Sequence, residues 1–142
     1  MKLALHTDYA LRLLMYLAGS AERTTVGEVA TFFDVSRDHM AKVAQQLVRA
    51  GWARSIKGIG GGLELARDAA DIRVGEVIAT TEGNTHLLDC VCAEQELCRI
   101  QSRCKLRKVL AKAEKIQLEY LNSVTLKDLA KPGRHLETLT SG

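Results

Sequence analysis

The 142-residue sequence is poor in residues that interrupt helices or favour strands. It contains one proline, and Phe, Trp and Tyr together account for 4% of its residues. Proline breaks helices and aromatic residues favour sheets, so this composition, rich in Ala, Leu, Lys and Glu, predicts a mainly α fold. The length corresponds to one domain with a sizeable core.

The sequence also lacks an apolar run as long as a membrane span. Its N-terminal segment LALHTDYALRLLMYLAGS has the length of a signal peptide, but His6, Asp8 and Arg12 interrupt it. We therefore expect a cytoplasmic protein with no membrane partner, whose thiols stay reduced. The net charge of +3 permits an anionic partner without requiring one.

Cysteine is absent outside residues 90–104, CVCAEQELCRIQSRC, where all four cysteines lie. Cys92, Cys98 and Cys104 are spaced C-x5-C-x5-C. Such a group of thiols indicates a disulfide framework, a zinc site, an iron–sulfur cluster or a thiol switch. His86 could complete a three-cysteine zinc site, but the tight C-x2–4-C pair of zinc sites is missing. The wider spacings suit a cluster better, and on spacing alone the alternatives stay open.

Capping signals predict the first helices. Thr7 is expected to cap a first helix of about a dozen residues, and the four-residue spacing of Asp8 and Arg12 allows an ion pair on it. Thr25 begins a capping box that opens a second helix, 26–33.

After a short turn, Ser36 is expected to cap a third helix that ends near Ala50. Two helices joined in this way are typical of a helix-turn-helix, in which the second helix reads DNA.

The next segment predicts a β-hairpin. Residues 52–56 and 63–66 alternate as strands do, and the run 57–62, KGIGGG, is expected to be the loop between them. A hairpin directly after a recognition helix is a wing, although a plain hairpin without a ligand has the same pattern. A nucleotide-binding loop is disfavoured, because a strand and not a helix follows the glycines.

Positive charge is concentrated in this region. Residues 36–67 contain six Lys or Arg and two Asp or Glu, a local excess of four against +3 for the whole chain. Because the excess coincides with the helix-turn-helix and wing, we expect double-stranded DNA as the partner. The predicted DNA-binding residues are Ser36, Arg37, His39, Lys42, Gln45, Arg54, Lys57, Gly60 and Gly61.

The second half predicts a fourth helix from Ile72 to about Thr81, capped by Asp71, and then an irregular cysteine loop. A long helix from Lys105 to about Asn122 carries an apolar stripe. Too little chain remains to cover that stripe, so we expect a second subunit to do so, with packing against the first helix as the alternative. The expected divisions are 1–82 for DNA binding, 83–104 for the cysteine loop, 105–131 for the dimerisation helix and a short terminal helix (125–130), and 132–142 for a flexible tail.

Taken together, these motifs resemble the iron–sulfur winged-helix repressor family. The resemblance rests on LxxxTDYALRLLMYLA, VGEVATFFDVSRDHMAKVAQQL, the wing IKGIGGGLELAR and the C-x5-C-x5-C run before the long helix. It implies a winged helix-turn-helix with a small β-hairpin wing and a long C-terminal dimerisation helix. It also implies a homodimer that binds a palindromic operator.

The resemblance further implies that Cys92, Cys98 and Cys104 bind one iron–sulfur cluster per subunit. The family's regulators of cluster biogenesis add a histidine three residues after the third cysteine, where this chain has Arg107, which cannot bind iron. Its nitric oxide sensors add an aspartate from the first helix of the other subunit, where this chain has Asp8. The resemblance therefore favours nitric oxide as the signal.

The implied cofactor is a 4Fe-4S cluster, with 2Fe-2S as the alternative, and Arg12 would orient the Asp8 carboxylate. Cys90 lies outside the shared three and would be spare or a disulfide partner in cluster-free protein. A regulator of cluster biogenesis and a zinc or thiol-switch repressor are the alternative functions. We expect no enzymatic activity, since no motif pairs a nucleophile with a base.

Overall fold

The computed structural model describes residues 2–130, and the predicted tail, 132–142, lies outside them. Its architecture is the predicted one, mainly helical with one two-stranded hairpin. The elements are α1 (Leu5–Gly19), α2 (Val26–Phe33), α3 (Arg37–Arg49), β1 (Ala53–Ile56), β2 (Gly62–Leu65), α4 (Val74–Glu82), α5 (Asp89–Cys92), α6 (Lys105–Ser123) and α7 (Leu126–Leu129), with 3₁₀ turns at Ala69–Asp71 and Gln101–Arg103.

The core lies between α1, α2, α3 and the base of the hairpin. Helix α1 buries one apolar stripe, because residues three and four apart share a helix face. Met40 and Leu47 of α3 are fully buried against that stripe, and Trp52 closes the core beneath the hairpin. The buried residues of α1 are Thr7, Ala10, Leu13, Leu14 and Leu17.

Two of the predicted caps are confirmed. The Thr25 hydroxyl accepts from the Glu28 N–H at 3.2 Å, and the Glu28 carboxylate accepts in return from the Thr25 N–H at 2.5 Å. Hydrogen bonds to the Glu28 carboxylate, first from the Thr25 N–H and then from the Thr24 and Thr25 side chains, lower the pKa of Glu28. The Ser36 hydroxyl accepts from the His39 N–H at 3.4 Å at the start of α3.

The prediction that Thr7 caps α1 is wrong. The helix starts three residues earlier, with Ala4 as its N-cap, and Thr7 is buried inside the first turn. A tertiary contact explains the earlier start, because the Ala4 N–H donates to Glu82 at 2.6 Å. His6 also hydrogen-bonds the Thr81 carbonyl at 2.6 Å, so the end of α4 holds the start of α1 although no side chain caps it.

The prediction that Asp71 caps the fourth helix is also wrong. Asp68 caps the 3₁₀ turn instead, accepting from the Ala70 N–H at 2.8 Å. The chain then stays extended, because Ile72 is fully buried and Arg73 forms a β-bridge with Thr125. Helix α4 therefore begins at Val74 rather than Ile72.

The predicted hairpin is confirmed with slightly different bounds. Strands β1 and β2 are antiparallel, with Ala53 opposite Leu65 and Ile56 opposite Gly62. Trp52 precedes β1, although its carbonyl still accepts from the Ala66 N–H at 2.9 Å. The backbone of Thr24 pairs with Leu63, which joins the hairpin to the α1–α2 loop.

Helix α6 forms as predicted and packs mainly against α4 and α5. The chain then returns to the N-terminal core, where Leu126 is 1% exposed. The Leu126 N–H donates to the Ile72 carbonyl at 2.8 Å, and the Val74 N–H donates to the Val124 carbonyl at 3.0 Å. None of the helices within residues 2–130 has the length and apolar character of a membrane span.

Candidate nucleic-acid surface and cysteine loop

The predicted DNA-binding residues lie on α3, at its N-cap and on the wing, and eight of the nine are exposed. The inner side of α3 is buried through Met40, Val43, Ala44 and Leu47, so its polar residues are turned outward. Gly61, at the wing, is half-buried. The exposed members of the predicted set are Ser36, Arg37, His39, Lys42, Gln45, Arg54, Lys57 and Gly60.

Arg54 has an acidic partner, Glu64, that was not predicted from the sequence. Its guanidinium lies 2.6 Å from a Glu64 carboxylate oxygen, and Arg23 lies 2.9 Å from the other oxygen. Hydrogen bonds from Arg23 and Arg54 lower the pKa of Glu64, which therefore stays ionised. The three side chains together keep one net positive charge at the base of the wing.

The cysteine loop contains four free thiols. Cys92 and Cys98 are exposed, whereas Cys90 and Cys104 are half-buried. The loop is more ordered than predicted, because α5 and a 3₁₀ turn lie within it. The Cys104 sulfur accepts from the Arg107 N–H at 3.4 Å, so this predicted ligand is also the N-cap of α6.

Gln101 lies between the second and third predicted ligands and holds the part of the loop between the first and second. It is 8% exposed, although its neighbours in the loop face solvent. Its side-chain oxygen accepts from the Leu97 N–H at 2.8 Å, and its side-chain nitrogen donates to the Gln95 carbonyl at 3.0 Å. No sequence signal marks it, because a lone glutamine in a polar loop is usually exposed.

Arg107 connects the first part of the loop to α6. Its Nε donates to the Cys90 carbonyl at 2.6 Å and its terminal nitrogen to the Val91 carbonyl at 3.2 Å. These carbonyls belong to the four-residue helix α5, which ends at Cys92. The residue that cannot bind iron therefore fixes the segment that carries a predicted ligand.

A second contact fixes the start of the loop. His86 Nδ1 and a Glu114 carboxylate oxygen are 2.9 Å apart, and the Leu87 N–H donates to the other oxygen at 2.5 Å. Burial raises the pKa of Glu114, but the hydrogen bonds from His86 and Leu87 and the charge of His86 outweigh it, and the net pKa is lowered. Glu114 is therefore ionised at neutral pH.

Asp8 lies on α1, where it forms the expected ion pair with Arg12 at 2.9 Å. The Arg12 guanidinium also stacks over the Phe33 ring at the end of α2, 5.7 Å from the ring centroid. The i,i+4 spacing of Asp8 and Arg12 predicted the ion pair, whereas no sequence pattern predicted the contact with Phe33.

One chain does not bring the predicted ligands together. Among residues 2–130, no three His, Cys, Asp or Glu side chains converge on a point that could hold a metal ion. The donor chemistry nevertheless suits an iron–sulfur cluster, because three free thiols lie on one accessible segment. Binding of an iron–sulfur cluster would have to bring these three thiols closer to one another.

The family model Rrf2, described as an iron-dependent transcriptional regulator, matches residues 3–132. The chain is 38% identical to the HTH-type transcriptional regulator NsrR of Bacillus subtilis, over 92% of this chain and 91% of that protein. It is also 38% identical to NsrR of Halalkalibacterium halodurans, over 98% of this chain and 97% of that protein.

Solved structures share the fold. The global cysteine regulator CymR of B. subtilis superposes with a TM-score of 0.76 at 24% identity, covering 92% of this chain and 96% of CymR. T. potens IscR superposes with a TM-score of 0.73 at 24% identity, covering 91% of this chain and 85% of IscR. From the family match and the NsrR relatives together, the chain belongs to the Rrf2 family of transcriptional regulators.

Proposed function

We propose that the chain is a dimeric DNA-binding repressor that holds an iron–sulfur cluster and loses affinity for its operator in response to nitric oxide. The observation that carries this proposal is the presence, in one chain, of an exposed helix-turn-helix surface and a loop of free thiols fixed to a long helix. We also propose that it is not an enzyme and works in the cytoplasm. The proposed divisions are 1–82 for DNA binding, 83–104 for the cluster and 105–131 mainly for dimerisation.

DNA binding is assigned to α3 and the wing. The exposed polar residues of α3 would enter the major groove, and the wing cations would contact phosphates. A two-fold dimer presents two such surfaces, so the operator would be a palindrome with a half-site spacing near a multiple of a helical turn.

Dimerisation is assigned to α6. This 19-residue helix has no buried residue within one chain, because only one side packs on α4 and α5. Large apolar side chains on α6 are left uncovered by the described residues, and a second copy of α6 would bury them. Full burial of a fully exposed Leu, Ile or Val side chain contributes about 1.5–3 kcal/mol, and these partly covered side chains would each contribute a fraction of that. The ones that share the uncovered side are Leu106 (59% exposed), Val109 (62%), Ile116 (55%) and Tyr120 (69%).

The cluster is assigned to Cys92, Cys98 and Cys104, with Asp8 of the partner subunit as the fourth ligand. The cluster would be 4Fe-4S, with 2Fe-2S as the alternative. When bound, it supplies an iron site, held by one carboxylate, that nitric oxide can reach. The chain contributes the carboxylate, and Arg12 contacts both of its oxygens, through Nε at 3.0 Å and through a terminal nitrogen at 2.9 Å.

The same ion pair offers a route from the ligand to the DNA-binding surface. Arg12 contacts both Asp8 and Phe33, and Phe33 ends α2 directly before the turn at Asp34. A change in the position of Asp8 would therefore act on the helix that orients α3. A coupling free energy of about 1–3 kcal/mol would change operator affinity roughly 5- to 150-fold.

A thiol-switch repressor is the second candidate. It is supported by the four unpaired thiols, two of them exposed, which do not converge into a preformed metal site within residues 2–130. A related fold, Staphylococcus aureus CymR, has been solved in an oxidised form, at 25% identity and a TM-score of 0.73.

One experiment separates the two candidates. Protein purified without oxygen should be brown, contain iron and sulfide, and release a palindromic promoter fragment in a gel shift after nitric oxide is added. Colourless protein that releases DNA only after oxidation and recovers with a thiol reductant would support the thiol switch and overturn the cluster proposal.

The cross-subunit ligand can be tested with mixed dimers. A dimer of one Asp8→Ala chain and one Cys92→Ser chain keeps one complete ligand set only if Asp8 acts on the partner's cysteines. We expect about half the wild-type iron, bound with wild-type stability. If every cluster in this mixed dimer were unstable, Asp8 would act within its own chain. If an Asp8→Ala homodimer held its clusters with wild-type stability, Asp8 would not be a ligand.

A further inference from the structure

The tip of the wing carries an apolar side chain that is fully open to solvent. Ile59 is 109% exposed, the largest value among the exposed large hydrophobic residues of the described chain. Between residues 6 and 87, Ile59 is the only large hydrophobic residue that is exposed. The others lie at the N-terminus, in residues 88–100, on α6 or at Leu129, so Ile59 is separate from the surface assigned to dimerisation.

The loop around Ile59 is thin and its shape requires glycine. Gly58 and Gly60 have φ values of +95° and +72°, which residues with a side chain rarely adopt. The Gly61 N–H donates to the Gly58 carbonyl at 3.1 Å, and a Cβ at Gly61 would overlap the Ile56 carbonyl oxygen. As a result, Ile59 is the only side chain between Lys57 and Leu63.

The loop is supported from behind by Arg23. Its guanidinium donates to the Gly60 carbonyl at 3.3 Å and pairs with Glu64 on β2. Beneath the loop, the Leu63 N–H donates to the Thr24 carbonyl at 2.7 Å and the Leu63 carbonyl accepts from the Thr24 N–H at 3.1 Å. These contacts hold the tip in position, so Ile59 projects from a fixed support.

DNA offers a matching site for such a tip. Its minor groove is only about 6 Å wide, which suits a loop with one side chain. Proteins that bind this groove frequently insert an apolar residue, isoleucine included, between base steps and partly unstack them. Arg54 on β1 and Lys57 directly after β1 provide cations for the phosphates along the groove's edges.

We infer that Ile59 is a wedge that enters the minor groove beside each half-site and partly unstacks one base step there. This inference rests on the proposed DNA-binding function and adds to it a residue that reads how easily DNA deforms. A base step that unstacks readily, such as TA or CA, would be preferred under the wing. Specificity would then extend beyond the bases that α3 contacts.

The test uses an operator selected by the full-length wild-type protein, with its cluster, from a pool of random duplexes. The fluorescent base 2-aminopurine, which is quenched by stacking, replaces adenine at one position at a time. Wild-type protein should raise the fluorescence at one symmetric position in each half-site. Ile59→Ala should remove this rise and weaken operator binding at least about 10-fold, because each subunit then buries less apolar surface against the DNA.

Three variants distinguish a wedge from a charge effect. Ile59→Leu should keep the fluorescence rise. Ile59→Lys should bind random duplexes more tightly but the operator more weakly. Lys57→Ala should keep the rise at saturating protein, while the slope of log affinity against log salt falls by about 0.9 for each phosphate that is no longer neutralised. Circular dichroism checks that each variant folds, as expected for changes at an exposed loop.

The outcomes also separate this inference from the proposed function. If wild-type protein selects no duplex, the DNA-binding function itself fails and the wedge fails with it. If wild-type protein selects an operator but Ile59→Ala binds it with unchanged affinity and unchanged fluorescence, only the wedge is overturned. An Ile59→Ala protein that binds DNA as wild type does but no longer associates with another protein would overturn it as well.

Discussion

The guanidinium of Arg107, in the first turn of α6, donates a 2.6 Å hydrogen bond to the backbone carbonyl of Cys90. The same side chain contacts the Val91 carbonyl, and its own N–H donates to the Cys104 sulfur. One residue therefore fixes both ends of the cysteine loop to one helix. Its importance for the proposed cluster would be geometric, since it holds the backbone that presents two ligands.

Replacing Arg107 with alanine should make the reconstituted cluster less stable. The two hydrogen bonds from a charged donor would be removed, and α5 would no longer be held against α6. Under a chelator, without oxygen, the visible absorbance should decay several-fold faster than in wild type. The decay rate of Arg107→Lys should lie between those of wild type and Arg107→Ala, because lysine keeps the charge but lacks the planar guanidinium.

Arg103→Ala is the matched control, since Arg103 is an exposed arginine in the same loop whose side chain has no hydrogen bond or ion pair within the described residues. Equal decay rates for wild type and Arg107→Ala would show that Arg107 has no positioning role.

Changing Asp8 and Arg12 separately should give different results. Asp8→Ala should leave a cluster that forms on three thiolates but decays faster. Arg12→Ala keeps the carboxylate but removes its connection to Phe33, so the cluster should form while the effect of nitric oxide on operator affinity becomes smaller. Cluster decay is followed by absorbance and operator binding by fluorescence anisotropy.

Glu22→Ala, an exposed change in the following loop, serves as the control for both variants. If Arg12→Ala kept the full response to nitric oxide, the route through Phe33 would be wrong.

A charge in the apolar stripe of α6 should separate the subunits. Ile116 is 55% exposed in the single chain, so Ile116→Lys should leave the fold intact while burying an unpaired charge in the dimer. We expect a monomer by sedimentation equilibrium and helix content unchanged from wild type. Lys108→Glu, another exposed change on α6, should remain a dimer. An Ile116→Lys dimer of wild-type stability would exclude this face as the interface.

The pair between His86 and Glu114 should make stability depend on pH. The folded-state pKa of Glu114 lies below its ordinary value of 4.5. A lowered carboxyl pKa contributes stability that is present above the ordinary value and disappears as the pH falls through the lowered one. Glu114→Gln should therefore lower the melting temperature at pH 6, and the difference from wild type should shrink below about pH 4.

Glu119→Gln provides the comparison, because Glu119 is 64% exposed and lies 3.8 Å from Lys115. Its effect on the melting temperature should be small at every pH. A Glu114→Gln difference that stayed constant from pH 6 to about pH 3 would contradict the role of the carboxylate.

Local signals in the sequence were sufficient for most of the fold. The capping box at Thr25, the cap at Ser36 and the glycine-rich hairpin depend on residues a few positions apart, and all three are confirmed. The apolar period of α6 likewise predicted its length, because a regular repeat reports one continuous helix.

Long-range contacts determined the helix starts that local sequence patterns did not predict. Thr7 has the side chain of a helix cap, but the Ala4 contact with Glu82 starts α1 earlier. Asp71 failed as a cap because its neighbour Ile72 is held extended by the chain near Thr125. Neither contact leaves a pattern in the local sequence.

In the candidate site, too, local spacing could be recognised in the sequence and long-range contacts could not. The spacing of the cysteines marked the loop, and the spacing of Asp8 and Arg12 marked their ion pair. The roles of Gln101 and Arg107 as donors to loop carbonyls were not visible, because such contacts depend on the path of the loop backbone. The ligand set itself stays a prediction.

The burial of Leu126 in the N-terminal core has a consequence for synthesis of the chain. The core beneath α1 lacks this side chain, and the Ile72 carbonyl lacks its partner, until residue 126 has left the ribosome. The last contacts of the nascent helix-turn-helix domain can therefore form only after residues 1–126, which include α6, have been synthesised. A repressor built in this way would reach a fully packed DNA-binding head only when its means of pairing with a second chain is already made.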